Sequence, residues 1–358
     1  MALSKPKNLR GPKFSKSSSY VAIAATALCI TSPALAEDET APPEFQQDET
    51  ITPVNVADTV MFADQSADPI TGLNPATLDA MASKAQQQGP LTKEEIEMMK
   101  NLATSVFAGD FLTIGAGVGM VPSYQGSDNY VLFPAPQIVG QVDGFQFAAV
   151  GPGLSVDLIR EKPLDRINII AGPLIRGNLN RVIRSQINDP VVEALGDLDV
   201  AIEVGGRFGV GITGVLSRFD TLSFTTNVAF DVAGAHGGMV VTPSINYRRP
   251  IGKATFFRAS VSTEWADGDY TDYYFGIDGA GSIASGLPTF TGGSGFNSVS
   301  GNILLTHDLS GNAFDGGWGV FGLVSLSRLR EDAAASPITS IRGDADQAIL
   351  AGGVTYTF

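Results

Sequence analysis

The chain has 358 residues and a formal net charge of −14, with 37 acidic against 23 basic residues. That balance argues against nucleic acid as a partner, because phosphate backbones call for basic patches. The single cysteine excludes an intramolecular disulfide framework.

Residues 1–36 carry Lys5, Lys7, Arg10, Lys13 and Lys16 and no acidic residue, then an apolar run from Val21 to Ile30 and the tripeptide Ala34-Leu35-Ala36. A basic start, a short apolar core and an Ala-x-Ala site predict a secretory signal peptide cleaved after Ala36. The apolar run is well short of the roughly 20 residues that cross a bilayer. Cys29 lies inside this segment and follows Leu28, a poor fit to a lipoprotein site, so the exported chain holds no cysteine. Removing five basic residues from a chain of −14 leaves −19.

Residues 37–108 contain 13 of the 37 acidic residues against Lys84, Lys93 and Lys100, and are rich in Pro, Gln, Asp and Thr. This composition predicts a mostly disordered acidic extension in the periplasm. A short helix is expected near 91–104, where Thr92 and Glu95 suit a capping box and Ile96, Met99 and Leu102 share a face. Such a helix binds a partner, sits in a barrel mouth, or has no dedicated role.

From 109 to 358 no segment keeps a long helical period. Strand-like runs of about ten residues recur instead between Gly, Pro, Asp and Asn clusters. Twelve are predicted: 111–120, 130–141, 145–157, 167–178, 198–212, 221–233, 238–249, 254–265, 270–277, 298–308, 317–328 and 346–358, with ten as the alternative count. The last run shows the pattern most clearly. Phe358, Tyr356, Val354, Gly352, Leu350 and Ala348 form one row, and Thr357, Thr355, Gly353, Ala351, Ile349 and Gln347 the other. A period of two puts these rows on opposite faces, apolar outside and polar inside. Charged residues recur on the second face of other runs, giving Asp199, Glu203, Arg207, Asp231, Arg258 and Glu264 as candidate lumen charges. An apolar core would make these costly, so a wet lumen is expected.

An open sheet would leave unpaired edges in hydrocarbon, so the predicted fold is an all-β, closed antiparallel transmembrane β-barrel. A soluble periplasmic barrel or sandwich is the rival. The terminal aromatics Tyr356 and Phe358 resemble the signal by which outer-membrane barrels are recognised for insertion. That makes outer-membrane lipid and the barrel-assembly machinery expected partners. An even strand count returns both termini to the periplasm. Counting back from the last strand places 179–197 at the periplasmic end, where Asp189, Val192, Glu193 and Leu195 become candidate partner contacts, unless the turn only braces the barrel.

From Pro122 to Tyr130 the sequence reads P-x-Y-x-G-S-x-x-Y, followed by Pro134 and Pro136. Gly196-Asp197-Leu198-Asp199, Tyr273-Tyr274-Phe275-Gly276-Ile277, Ser285-Gly286-Leu287, Leu329 with Ser336-Pro337-Ile338, and Tyr356-Thr357-Phe358 follow in order. In these features residues 109–358 resemble the MipA/OmpV family of outer-membrane proteins. The resemblance implies an outer-membrane barrel, with a scaffolding role that holds a lytic transglycosylase near a peptidoglycan synthase. It also implies links to osmotic response, adhesion and antibiotic susceptibility. It brings no shared catalytic residues, and the long acidic extension departs from the family's short N-terminus.

Little else in the chain points to chemistry. His307, with Thr306, Ser300 or Ser310 as neighbours, lacks a spaced nucleophile, base and orienting acid. His236 sits in a glycine-rich turn. Gly115 to Gly119 precede a Pro-containing turn rather than the helix start that a phosphate loop requires. Asp267, Asp269 and Asp272 cluster carboxylates without a twelve-residue calcium loop. The expectation is an adaptor without enzymatic activity, cofactor or metal; a small-solute channel using the lumen charges is the alternative.

Overall fold

The computed structural model describes residues 92–149, 152–160 and 166–358. The predicted signal peptide and nearly all of the extension before Thr92 lie outside the described residues.

Helix α1 (Lys93–Ala103) opens the described chain. Thr92 accepts from the Glu95 N–H and Glu95 reaches back to the Thr92 N–H, completing the capping box. A single 3-10 turn at Val106–Ala108 leads into the sheet. Its strands are β1 (Phe111–Pro122), β2 (Tyr130–Pro134), β3 (Gln137–Val142), β4 (Phe145–Ala149), β5 (Gly153–Asp157), β6 (Ile167–Asn178), β7 (Ala201–Thr213), β8 (Thr221–Asp231), β9 (Met239–Ile251), β10 (Thr255–Ala266), β11 (Gly295–Asp308), β12 (Gly317–Leu329) and β13 (Asp346–Thr357). Every pairing is antiparallel between neighbours, and β13 returns to β1 to close the ring. β2 and β3 lie end to end along β1, facing residues 118–122 and 111–115, with Pro134 and Pro136 at the break. The structure is therefore a closed twelve-strand barrel with one extra strand.

Glycine allows the closing seam. A Cβ on Gly117 would lie 2.5 Å from the Gly352 carbonyl oxygen and 2.8 Å from the Phe321 ring. Outward-facing residues such as Ile114, Val118, Ile169, Phe208, Phe224, Val261, Ile303, Val324 and Leu350 form an exposed apolar belt. A soluble protein would not leave so continuous an apolar surface in water; hydrocarbon accounts for it. The inward rows are polar: Gln137, Gln141, Thr225, Asn227, Thr242, Ser244, Asn246, Ser300 and Ser325 are all buried. Along β13, Leu350 and Val354 are exposed while Gln347, Ile349 and Thr355 are buried, as the alternation requires.

Two predicted strands differ. The run 145–157 is two strands rather than one, β4 paired antiparallel with β5. The run 270–277 is instead helical: α3 spans Gly268–Phe275. Asp267 caps it by accepting from the Tyr270 N–H at 3.1 Å, and Gly276 follows its last turn. One strand gained and one lost leave the total at twelve. Each strand between them is displaced by one place, so several connections exchange ends. Residues 214–220 and 252–254 lie at the end where β1 begins and β13 finishes, called here the terminus end. The segments 179–200, with helix α2 (Pro190–Glu193), and 232–238 lie at the opposite end.

Candidate functional site: a barrel stoppered at both ends

The end opposite the termini is covered by a layer of short helices. Besides α2 and α3 it contains α4 (Gly279–Ser285), α5 (Glu331–Ala335) and α6 (Pro337–Ser340). Asp189, Asp267, Asp278 and Ser336 accept from first-turn N–H groups of α2, α3, α4 and α6, which supplies acceptors to donors that have no partner within the helix. Asp267 also accepts from the Met239 N–H and Asp272 from the Gly292 N–H, so these carboxylates serve as caps and braces of the turn. Tyr124, Ile187, Val192, Ile277, Leu287 and Ile338 share one buried apolar cluster of the layer. Tyr270, Tyr274, Phe275, Leu329 and Ala333 belong to another. The motif residues Tyr124, Tyr274, Phe275, Leu287, Leu329 and Ile338, scattered over more than 200 positions, thus converge on this cap.

Polar links tie the layer together. Arg342 donates two hydrogen bonds to Asp189 Oδ2, at 2.6 Å from Nη2 and 3.0 Å from Nε. Burial raises the Asp189 carboxyl, but Arg342 and the Val192 and Val191 N–H groups outweigh it and hold it below the usual carboxylate range. Arg181 donates to the carbonyls of Tyr274 and Gly196, at 3.2 and 3.3 Å. Its burial pushes the guanidinium down to about 10. Ser336 donates to the Phe275 carbonyl at 2.7 Å.

Beneath the cap the barrel wall holds a buried charge cluster. Arg176 of β6 pairs with Glu203 of β7 through Nε and Oε2, with side-chain exposures of 7% and 0%. His236 Nδ1 accepts from the Gly238 N–H, which leaves the proton on Nε2, 3.4 Å from Glu203 Oε1. The imidazole meets Tyr270 edge-on, with ring centroids 5.1 Å apart. Burial pushes the Tyr270 and Tyr274 hydroxyls well above their ordinary range. Glu264, 2% exposed, points inward from β10, next to a register shift in the β10–β11 pairing. On β11, Asn297 accepts from the Thr271 hydroxyl at 3.2 Å and so reaches helix α3.

The other mouth is filled from the N-terminal side. Met98 and Leu102 of α1, with Val106 and Phe107, pack against Phe111, Phe256, Leu304, Phe314 and Phe321. Glu95 pairs with Arg218 at 2.9 Å and Glu97 with Lys253 at 3.3 Å, pinning α1 to the β7–β8 and β9–β10 turns. A cavity of about 40 Å³ lies beside Phe107, Phe256 and Phe321.

Of the predicted lumen charges, Glu203, Arg207, Arg258 and Glu264 share the inward rows of β7 and β10, whereas Asp199 and Asp231 lie outside those rows. Asp199 precedes β7, is exposed, and its N–H donates to the Tyr273 hydroxyl at 2.8 Å. Asp231 ends β8 and accepts from the N–H groups of Ala233, His236 and Gly237, which makes it a turn residue. Of the proposed partner contacts, Val192 is 0% and Asp189 4% exposed, while Glu193 and Leu195 are half-buried. All four lie at the end away from the termini, and Val192 and Asp189 are internal parts of the cap. At the terminus end Tyr356 meets Trp318 and Phe358 edge-on, at centroid separations of 5.1 and 4.7 Å. His307 faces outward next to the buried Asp308, its Nδ1 2.9 Å from the Thr255 hydroxyl. Strand alternation turns Thr306 and Ser300 to the other face, so no Ser-His pair forms. Arg176 and Arg248 escaped sequence reading, although each falls on an inward row. Tyr270 and Tyr274 fall in the run 270–277 predicted as a strand and lie instead on helix α3.

The family described as MltA-interacting protein MipA matches residues 114–358. The chain belongs to this family. Relatives named MltA-interacting protein, from Escherichia coli strain K12 and Shigella flexneri, are each 25% identical over 258 residues, covering 69% of this chain and 90% of theirs. Among solved structures, OmpT of Vibrio cholerae is 9% identical at a TM-score of 0.29, covering 62% of this chain and 64% of that one. The toluene transporter TbuX of Ralstonia pickettii is 11% identical at a TM-score of 0.31, covering 73% and 92%. These two are likenesses of barrel architecture alone. The MipA-family chain is an outer-membrane-type β-barrel.

Proposed function

We propose that this protein is an outer-membrane adaptor that holds a peptidoglycan-cleaving lytic transglycosylase, and through it a peptidoglycan synthase, close to the membrane. Membership of the MipA family carries the reading, since the relatives are named for an interaction with MltA. The stoppered lumen supports it: a barrel closed by its own helices presents surfaces rather than a path. No catalytic role is assigned to any residue. Helix α1, the start of β1 and the end of β13 share one end, which this reading places in the periplasm with Tyr356, Phe358 and Trp318 at the lipid interface there. The partner then meets the exposed rim of that end: the 214–220 turn, where Leu216 is 79% exposed, and the solvent side of α1. Residues 179–197, which join β6 to β7 at the opposite end, face away from the periplasm in this reading.

The test is capture of the organism's lytic transglycosylase by the refolded barrel, comparing the native chain with one whose Val215 and Leu216 are changed to serine. Loss of capture with an unchanged heat-modifiable band supports the rim. Retained capture by that variant, with loss in one altered at 179–197, would move the contact to the cap.

A second reading, a small-solute channel, draws on the polar inward rows. It requires α1 to leave the mouth, so single-channel conductance should appear only when the Met98, Leu102 and Phe107 contacts are weakened.

A further inference from the structure

Glu264 is 2% exposed, yet neither of its carboxylate oxygens has a hydrogen-bond partner among the described residues. The charged groups close enough to act on it are Arg176 and Glu203. Arg176 is already paired with Glu203. His236 adds no charge, since its Nδ1 accepts the Gly238 N–H, which an imidazolium cannot do. Two carboxylates against one guanidinium leave this compartment one positive charge short. A buried carboxylate in that position is costly until a charge or polar ligand meets it.

Strand register sets further oxygen atoms beside it. Asn227 on β8 lies opposite Thr242 on β9. Glu264 on β10 continues that row, because Ser262 faces Ser244 and Trp265 faces Val241 on either side of it. Ser244 is the next inward residue of β9. Opposed residues of a sheet have Cβ atoms about 5 Å apart. Asn227, Thr242 and Ser244 are each less than a tenth exposed, and Asn227 Oδ1, Thr242 Oγ1 and Ser244 Oγ also lack a hydrogen-bond partner. Arg207, opposite Asn227 in the β7–β8 pairing, has interactions of its own, and they include no hydrogen bond to Asn227 Oδ1 or Glu264. Five oxygen atoms on three adjacent strands thus turn inward around one uncompensated charge. A proton on Glu264 does not answer this pattern, because an O–H needs an acceptor within about 3 Å and no described group stands there. Oxygens that ligate a common hard cation stand further apart, each drawn to the ion rather than to its neighbour. Among the described residues no three His, Cys, Asp or Glu side chains gather about one point, which sets aside zinc and a multi-carboxylate calcium site. One carboxylate with neutral hydroxyl and amide oxygens suits a singly charged ion.

We propose that Glu264, Thr242, Ser244 and Asn227 form a binding site for a monovalent hard cation of the sodium or potassium class, with Glu264 as its charged ligand. The ion balances the second carboxylate beneath the cap. It also ties β8, β9 and β10 together on the lumen side of the wall.

Urea unfolding of the refolded full chain in a zwitterionic detergent tests this, with sodium chloride or potassium chloride replaced stepwise by choline chloride. Choline keeps the ionic strength constant, so screening of surface charge does not change. One site filled only in the folded state raises the folded-to-unfolded ratio about tenfold for each tenfold rise in the ion above its dissociation constant. That dependence is expected in the native chain and in Asp199→Asn, whose carboxylate is exposed outside the lumen. It should vanish in Glu264→Gln, which keeps the shape and loses the charge, and weaken in Thr242→Val. Crystals soaked in thallium acetate give a readout that needs no variant: Tl⁺, a stand-in for potassium, should give an anomalous peak against Glu264. Stability indifferent to both alkali ions overturns the proposal. If stability then rises as pH falls only while Glu264 is present, the occupant is a proton. A sodium or potassium dependence that Glu264→Gln retains in full places the ion elsewhere and overturns it too, as does a lumen without a thallium peak.

Discussion

Replacing Arg176 with alanine isolates the energetics of the capped end. Arg176 and Glu203 form an ion pair with side-chain exposures of 7% and 0%, and Glu264 places a second carboxylate in the same compartment. Without the guanidinium, Glu203 keeps only His236, whose Nε2 is 3.4 Å away. Removing one partner of a buried pair typically costs about 3–5 kcal/mol, because the remaining charge is left uncompensated. Here the nearby Glu264 favours the upper part of that range. The double replacement Arg176→Met with Glu203→Met removes both charges, so it should recover most of the loss. Urea unfolding of the refolded barrel in detergent, followed by tryptophan fluorescence and by gel mobility, gives the values for a double-mutant cycle. A loss below about 1 kcal/mol for Arg176→Ala would show that water reaches the pair, and the sealed compartment would be wrong. A double mutant no better than the single would point to packing instead of charge.

Other parts of the molecule offer shorter tests. Because Asp189 is held below the usual carboxylate range, it stabilises the cap above its unfolded value near pH 4. That contribution disappears as pH falls through the depressed folded value, so the difference in thermal midpoint between the native chain and Arg342→Gln should shrink below about pH 4. Asp189→Ala should cost about 1 kcal/mol or more from the lost cap of α2 alone, read by protease cleavage within 179–197. Gly117→Ala puts a methyl 2.5 Å from the Gly352 carbonyl at the closing seam, and should lower the temperature at which the compact band on a gel is lost. Phe107→Ala should weaken the docking of α1 by about 3–4 kcal/mol, seen as faster tryptic cleavage at Lys100.

Reading the sequence worked best where one period governs both faces. In β13, Leu350 and Val354 face lipid and Gln347 and Thr355 face the lumen because successive side chains on a strand must alternate. The row needs no knowledge of its neighbours. Closure follows from the same pattern, since hydrocarbon cannot satisfy a free sheet edge. The inward charges Glu203, Arg207, Arg258 and Glu264 were legible for that reason too. Parity arguments were less secure. A strand count tells which end a connection occupies only if every strand is right, and two compensating errors moved 179–197 to the opposite end.

What the sequence by itself determined is the alternation, hence the barrel, its apolar exterior and its polar lumen, because strand geometry is local. Only the tertiary structure decided how that lumen is closed. The run 270–277 alternates well enough for a strand, yet Asp267 and Met239 fix the start of a helix there. Tyr124, Val192, Leu287 and Ile338 are then drawn into one cluster by contacts across more than 200 residues of chain. Likewise Arg176 finds Glu203 only because β6 and β7 pair in a register that sets the two opposite each other. Packing across the ring, which no local period encodes, made the cap and the charge cluster beneath it.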